Sequence, residues 1–310
     1  MLIQVIFCKV FNMKKTIIFF FINSILLCQN SFESIDIIYD ARSLGLSGVG
    51  ISDNITDESE YNNPSLLKIK NKKIKLSFLQ YPANIKSHFI KYSTGFRNFS
   101  LSATYKSVNF GDFQRYDNEG INLGQYSARD NSFGISISNS FSKSSDIGIS
   151  LSLFQSRIDN LNSILGLLTL GANVDFPDSK ASLGAVIRNI GLIFDDFTNY
   201  KETIPTSVGI GISKKITYLP LIIYSDIIWW ELRTIARFGG EFSINNNFLV
   251  QIGTTSNKNQ FNTNLLWRNI FSGISSGFIY KFSNNSIGMS VSNHGIAGIL
   301  IGISFSTNLN

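Results

Sequence analysis

Two histidines, His88 and His294, two cysteines, Cys8 and Cys28, and the acidic pairs Asp57-Glu58 and Asp195-Asp196 are the residues best suited to metal or acid–base chemistry in this chain. Structural and catalytic zinc sites need three or four His, Cys or carboxylate ligands at close spacing, and two distant histidines do not supply them. Neighbouring residues on a strand point to opposite faces, so adjacent acids there make no facing dyad, and Asp195-Asp196 beside a loop reads as solvated charge. The ligand spacing of a calcium-binding loop is absent as well. Serines are abundant, but no spacing sets one beside a base and an orienting group. The sequence therefore predicts no catalytic residue, no metal site and no cofactor, and a protein that is not an enzyme.

The elements that carry these residues point elsewhere. Met13, Lys14 and Lys15 precede an apolar run from Thr16 to Leu27, the pattern of a secretory leader. The run is too short to cross a bilayer as a helix, which takes about 20 apolar residues. Residues 1–30 are read as a signal peptide cut near Gln29 to Ser31, and initiation at Met13 gives a tidier leader than initiation at Met1. Both cysteines fall inside it, so the exported chain carries neither disulfide nor thiolate chemistry. A lipoprotein with Cys28 as its modified first residue is the rival reading, disfavoured because Leu27 stands where a small residue is required.

The formal charge of +6 includes Lys9, Lys14 and Lys15 of the leader, so the exported chain sits near about +3. Its basic residues are scattered except for Lys68, Lys70, Lys72, Lys73 and Lys75, and no aromatic stacking motif accompanies them, which argues against nucleic acid as a partner. Charged residues make up 15% of the chain and hydrophobic ones 44%, lean in charge beside the roughly 25% of soluble domains.

From Lys73 onward the dominant signal is period two. Phe133, Ile135 and Ile137 alternate with Gly134, Ser136 and Ser138; Ile147, Ile149, Leu151 and Leu153 alternate with Gly148, Ser150 and Ser152; Ile299, Ile301, Ile303 and Phe305 close the chain in the same rhythm. One face is Ile, Leu and Phe and the other Ser and Gly, which suits a wall between lipid and lumen. Strands are expected near 73–81, 86–95, 97–107, 131–142, 145–157, 163–175, 181–193, 205–215, 219–230, 234–244, 247–255, 260–270, 272–282 and 286–306, the last in two pieces. The expected fold is all-β, a transmembrane antiparallel barrel of about 14 strands in the outer membrane, with lipid as its first partner. The barrel is assigned to 73–306, with Phe305 closing the final strand and 307–310 as a tail. Polar stretches 111–130 and 195–201 read as outer loops, and Tyr224, Trp229, Trp230 and Trp267 as interfacial aromatics.

Residues 31–72 lack alternation and read as an N-terminal plug. Thr56 to Glu60 has the acids of a helix start, and Asn63-Pro64 marks a break.

Ala41-Arg42-Ser43-Leu44-Gly45-Leu46-Ser47-Gly48-Val49-Gly50, then Asp53 and Asn63-Pro64-Ser65-Leu66-Leu67, resembles the N-terminal signature of the PorV/PorQ outer-membrane family, which shares it with the FadL hydrocarbon transporters. Ser65 replaces the usual Ala. Arg188-Asn189-Ile190-Gly191 followed by Ile204-Pro205-Thr206, and Phe238-Gly239-Gly240-Glu241-Phe242, resemble further motifs of PorV/PorQ, while Gln251-Ile252-Gly253 departs from its Arg-x-Gly.

The resemblance implies that Arg42, Gly45, Gly48, Asn63 and Pro64 belong to an inward-folded plug, and that Asn189, Gly191, Pro205, Gly240 and Glu241 are family positions in the wall. It implies a role in protein secretion or surface attachment of the type IX kind, with exported cargo proteins or secretion components as partners. The alternative is a FadL-like passive transporter of hydrophobic small molecules. The lumen-side residues assigned above are mainly Ser, Gly and Asn, which tilts the sequence reading toward the first.

Overall fold

The computed structural model describes residues 32–53, 59, 61–69, 71–197, 202–231, 233–257 and 271–309. Fourteen strands make one closed antiparallel barrel: β1 Lys72–Gln80, β2 Lys86–Phe96, β3 Phe99–Tyr116, β4 Asn122–Ser142, β5 Ser145–Ile158, β6 Leu161–Phe176, β7 Ala181–Asp195, β8 Ser207–Lys215, β9 Leu221–Trp230, β10 Thr234–Ser243, β11 Phe248–Thr255, β12 Ile274–Phe282, β13 Asn285–Asn293 and β14 Ile299–Leu309. Each strand pairs with its neighbours in sequence, and β14 returns to β1. No helix among the described residues is long and apolar enough to cross a membrane. Closure follows from the environment the outer face requires: lipid offers no partner to backbone N–H and C=O groups, so a spanning sheet must have no edge.

The alternation sets the facing. Ile135, Ile149, Leu151, Ile301 and Ile303 are exposed on the outer surface, while Ser136, Ser138, Ser290 and Ser304 are buried on the inner one. In an isolated soluble domain this much exposed Ile, Leu and Phe would be a liability; against acyl chains it is the stable arrangement.

The two pieces expected in 286–306 are β13 and β14, joined by a short turn at Gly295–Ala297. Several other expectations are revised. The expected strand at 260–270 lies outside the described residues, and β11 pairs directly with β12. Residues 111–130 are not a loop: β3 and β4 continue as one paired hairpin up to Tyr116 and Asn122. Their polar and glycine-rich composition hid the pairing, because this end of the hairpin rises beyond the apolar band, β4 having 21 residues where about 9–11 span a bilayer. The supposed tail is also strand, since Lys72 pairs with Leu309 and Lys75 with Ser306. Phe305 therefore lies within β14, opposite Leu76 and Ile287, and does not close it. The leader and its cysteines, most of Thr56 to Glu60, and Trp267 lie outside the described residues.

The plug fills the lumen. A one-turn helix, α1, Ala41–Gly45, is capped by Asp40, whose carboxylate accepts the Ser43 N–H at 3.1 Å. Ser47 and Gly48 then take left-handed backbone, ending the turn and sending the chain across the barrel. A second short turn, Pro64–Leu66, is capped by Asn63. Leu44, Leu46, Val49, Ile51, Leu66 and Leu67 are all buried against the wall. Connections at the end where Lys72 and Leu309 meet are all short, whereas the two longest, 196–206 and 256–273, lie at the other end, which by the usual pattern of bacterial barrels makes the first periplasmic and the second external.

Candidate functional site

Arg42 is the electrostatic centre of the plug. Its guanidinium donates to Asp53 at 2.5 Å, to Glu241 of β10 at 3.0 Å and to the Ser59 hydroxyl at 3.1 Å, and all four side chains are buried. Gln251 donates to the same Glu241 carboxylate at 2.8 Å. The departure at Gln251 thus has a structural reading: the cation comes from Arg42, and Gln251 adds a neutral donor. Tyr224, expected at an interface, is instead fully buried with its hydroxyl 3.3 Å from Asp53. Beside this group Lys75 pairs with Asp40 at 2.7 Å, and Asp226 accepts the backbone N–H groups of Gly50 and Ile51 at 2.7 and 3.1 Å. The basic run found in sequence is likewise used, Lys68 bridging Asp146 and Asp175 at 2.8 and 3.2 Å.

Asn63 and Pro64 dock on the opposite wall. The Asn63 side chain caps its own turn by accepting the Ser65 N–H at 3.1 Å and donates to the carbonyls of Ile51 at 2.8 Å and Ala172 at 3.1 Å. The wall makes room with glycine. A Cβ at Gly148 would overlap the Pro64 backbone, one at Gly171 the Asn63 amide, and one at Gly253 the backbone of Leu46. Gly45 sits in the reciprocal position, where a Cβ would stand 2.7 Å from Gln251 Oε1. Gly48 is required by its backbone, φ +78°, beside Arg237. Gly240 is different: its neighbour Gly239 faces Leu46 and Val49 of the plug, whereas Gly240 lies on the outer face.

Asn189, Gly191 and Pro205 meet at an irregularity. Leu168 pairs with Ile190 and Leu170 with Ile187, so Arg188 and Asn189 stand opposite Thr169 as a bulge, with Asn189 at φ 59°. The bulge turns both side chains inward. Arg188 donates twice to the Asn62 carbonyl, at 3.0 and 2.7 Å, and Asn189 donates to Asp36 at 2.8 Å and to the Pro205 carbonyl at 3.2 Å. Pairing of β7 with β8 stops at Arg188 and Ser207. Above that point Ile204 packs near Gly191 and against the cluster of Phe154, Leu165 and Leu167.

On the external side the plug floors a cavity of about 890 Å³. Ile37 and Ile38 form its base, and Val108, Phe110, Tyr126, Trp230, Ile235 and Leu300 its wall. The expectation that the lumen offers little apolar surface is therefore corrected. Small residues hold at the level of the plug, but above it the inward face turns to large apolar side chains. Phe113 and Tyr126, stacked with centroids 5.4 Å apart, carry no sequence signal, because their segment has the polar, glycine-rich composition of a loop. Trp230 was expected at the membrane interface; it points inward and donates its indole N–H to Asp36 at 2.8 Å. A closer signal was present in the adjacency of Trp229 and Trp230, which must face opposite ways on a strand. Of the two histidines, His88 is exposed on the outer surface beside Phe78. His294 borders the cavity, where burial pushes its pKa below the ordinary imidazole range. Asp195 ends β7 and Asp196 lies just beyond it, and no group of His, Cys, Asp and Glu fit for a metal occurs among the described residues.

A closed fourteen-strand barrel with a folded N-terminal plug and an apolar vestibule above it defines a plugged outer-membrane barrel. Among solved structures the chain is similar to the Pseudomonas putida toluene transporter TodX, with 11% identity over 87% of this chain and 98% of that one and a TM-score of 0.64. It is similar to the Ralstonia pickettii toluene transporter TbuX, with 11% identity, 88% and 98% coverage and a TM-score of 0.59. A Pseudomonas aeruginosa FadL homologue aligns with 9% identity, 87% and 98% coverage and a TM-score of 0.55. The fold is thus that of FadL-type barrels. No protein-family model and no curated protein matches the sequence.

Proposed function

We propose that the chain, exported through a leader cleaved near residue 30, is a passive outer-membrane channel for hydrophobic small molecules. The observation that carries this reading is the apolar cavity above the plug, whose volume of about 890 Å³ lies within the usual range of small-molecule sites. The likeness in fold to toluene transporters supports the same reading. The test is uptake of a labelled alkylbenzene by cells carrying the protein and by cells carrying an empty vector. Faster uptake is expected, and it should fall when Phe110 and Ile235, both at the cavity, are changed to Asp. Equal uptake with and without the protein would refute the proposal.

A second reading, binding of exported proteins in the manner of the PorV/PorQ family, is supported by the raised β3–β4 hairpin. Tyr116, Ile121 and Leu123 are exposed at its tip, beyond the apolar band. Purification from native outer membrane separates the two: a stoichiometric secretion partner supports the second, and a bound hydrophobic small molecule the first.

A further inference from the structure

The cavity carries a buried carboxylate that the transport of plain hydrocarbons does not use. Asp130 of β4 is buried, with 6% of its surface exposed, and it lines the cavity amid apolar and aromatic side chains. Its two oxygens accept hydrogen bonds from the hydroxyls of Ser34 in the plug and Ser156 of β5. No ion pair reaches it among the described residues. Of the arginines lining the cavity, Arg237 donates to the Gly48 carbonyl at 3.0 Å, and Arg233 lies 3.7 Å from Glu33 and over the Trp230 ring, so neither pairs with Asp130. Lys106 sits over the rings of Tyr39 and Tyr61.

A carboxylate taken out of water without a counter-ion is a costly arrangement, and neutral hydroxyls offset only part of it. The structure nevertheless holds it in place from two sides, one oxygen fixed by the plug and the other by the wall. A positively charged group on a bound molecule would relieve it. The aromatic lining, including Phe110 and Tyr126, also favours a cation, through the negative faces of its rings. A carboxylate ligand would meet four acids of the lining, Glu33, Asp36, Asp130 and Glu202, against two arginines, Arg233 and Arg237.

We infer that the cavity selects apolar molecules bearing a protonated amine, with Asp130 as the group that receives the ammonium, and discriminates against apolar carboxylates. This rests on the transport reading of the same cavity and names its preferred ligand class.

The test uses the full exported chain in non-ionic detergent and three water-soluble probes with one aromatic body: 2-phenylethylamine, 2-phenylethanol and 3-phenylpropionate. Titration calorimetry measures each. The amine is expected to bind at least about tenfold more tightly than the carboxylate, the scale of a hydrogen bond to a charged group. Asp130→Asn, which keeps an acceptor for Ser34 or Ser156, should bring amine and alcohol to within about twofold of each other. Equal binding of amine and carboxylate to the unaltered protein overturns the inference, a result that needs no variant to fold. So does an amine preference that survives in Asp130→Asn. Failure of all three probes to bind would count against the transport reading itself, whereas binding of the alcohol without an amine preference would leave that reading standing and remove only this one.

Discussion

Replacing Arg42 with Met would remove the one cation shared by Asp53 and Glu241 while keeping most of the side-chain volume. Breaking a buried ion pair by deleting one partner costs about 3–5 kcal/mol, because the other partner stays buried and charged. Both carboxylates lose this cation, but Glu241 keeps the amide of Gln251 at 2.8 Å and Asp53 keeps the hydroxyls of Ser59 at 2.6 Å and Tyr224 at 3.3 Å, so the lower part of that range is a fair floor. At about 1.4 kcal/mol per factor of ten, release of the plug should become roughly a hundredfold to several thousandfold more frequent. The wall should be indifferent, since its continuous backbone ladders do not involve Arg42. Hydrogen exchange followed by mass spectrometry reads both at once: peptides covering residues 41–53 should lose protection while those covering β12 to β14 keep theirs. Adding Glu241→Gln, which removes one stranded charge, should restore part of it. A change below tenfold at 41–53, or an equal loss across the wall, would refute the assignment of Arg42 as the residue that holds the plug.

Gly171→Val places side-chain atoms where the Asn63 amide lies, so it should undock the plug and raise leakage of small solutes while leaving a heat-modifiable barrel on gels. Leu151→Arg, on the lipid face near mid-strand, should destabilise the barrel by about 2–4 kcal/mol in urea titrations, and Ser152→Arg on the lumen side by less. Deleting residues 306–310 should sharply reduce assembled barrel in the outer membrane, because it removes the pairs from Lys75 with Ser306 to Lys72 with Leu309 that close the ring. Undiminished assembly would show that closure ends earlier.

Much of the barrel was legible because its walls obey one simple rule. Where lipid lies on one side and a small-residue lumen on the other, as along Ile147 to Leu153, the alternation is clean and the facing follows from it. The rule failed in two places for opposite reasons. Beyond the bilayer, from Gly111 to Arg129, nothing requires an apolar outer face, so paired strands looked like loop. In the vestibule, residues such as Phe110 and Trp230 are apolar and inward, which inverts the expected chemistry of the lumen. The plug motif was visible in Arg42, Gly45 and Asn63-Pro64, yet the partnership of Arg42 with Glu241 was not. A contact between residues so far apart in the chain leaves no local pattern, and Asp130 went unnoticed because a single acid in a polar stretch carries none either.

The glycines that receive the plug have a consequence for the shape of the whole molecule. Gly148, Gly171, Gly184, Gly211 and Gly253 face inward on β5, β6, β7, β8 and β11, and at each of them a Cβ would collide with the plug or with a side chain packed beside it. They trace a waist around much of the circumference, where wall and filling are matched to within an atom. At that height the ring has a fixed girth, and it can neither widen nor narrow without losing contact or colliding. Above it, around the vestibule, side chains face open space and the girth is free to vary. A deep mutational scan would draw this boundary directly, as a girdle of intolerant positions crossing strands whose neighbouring residues accept almost any apolar substitution.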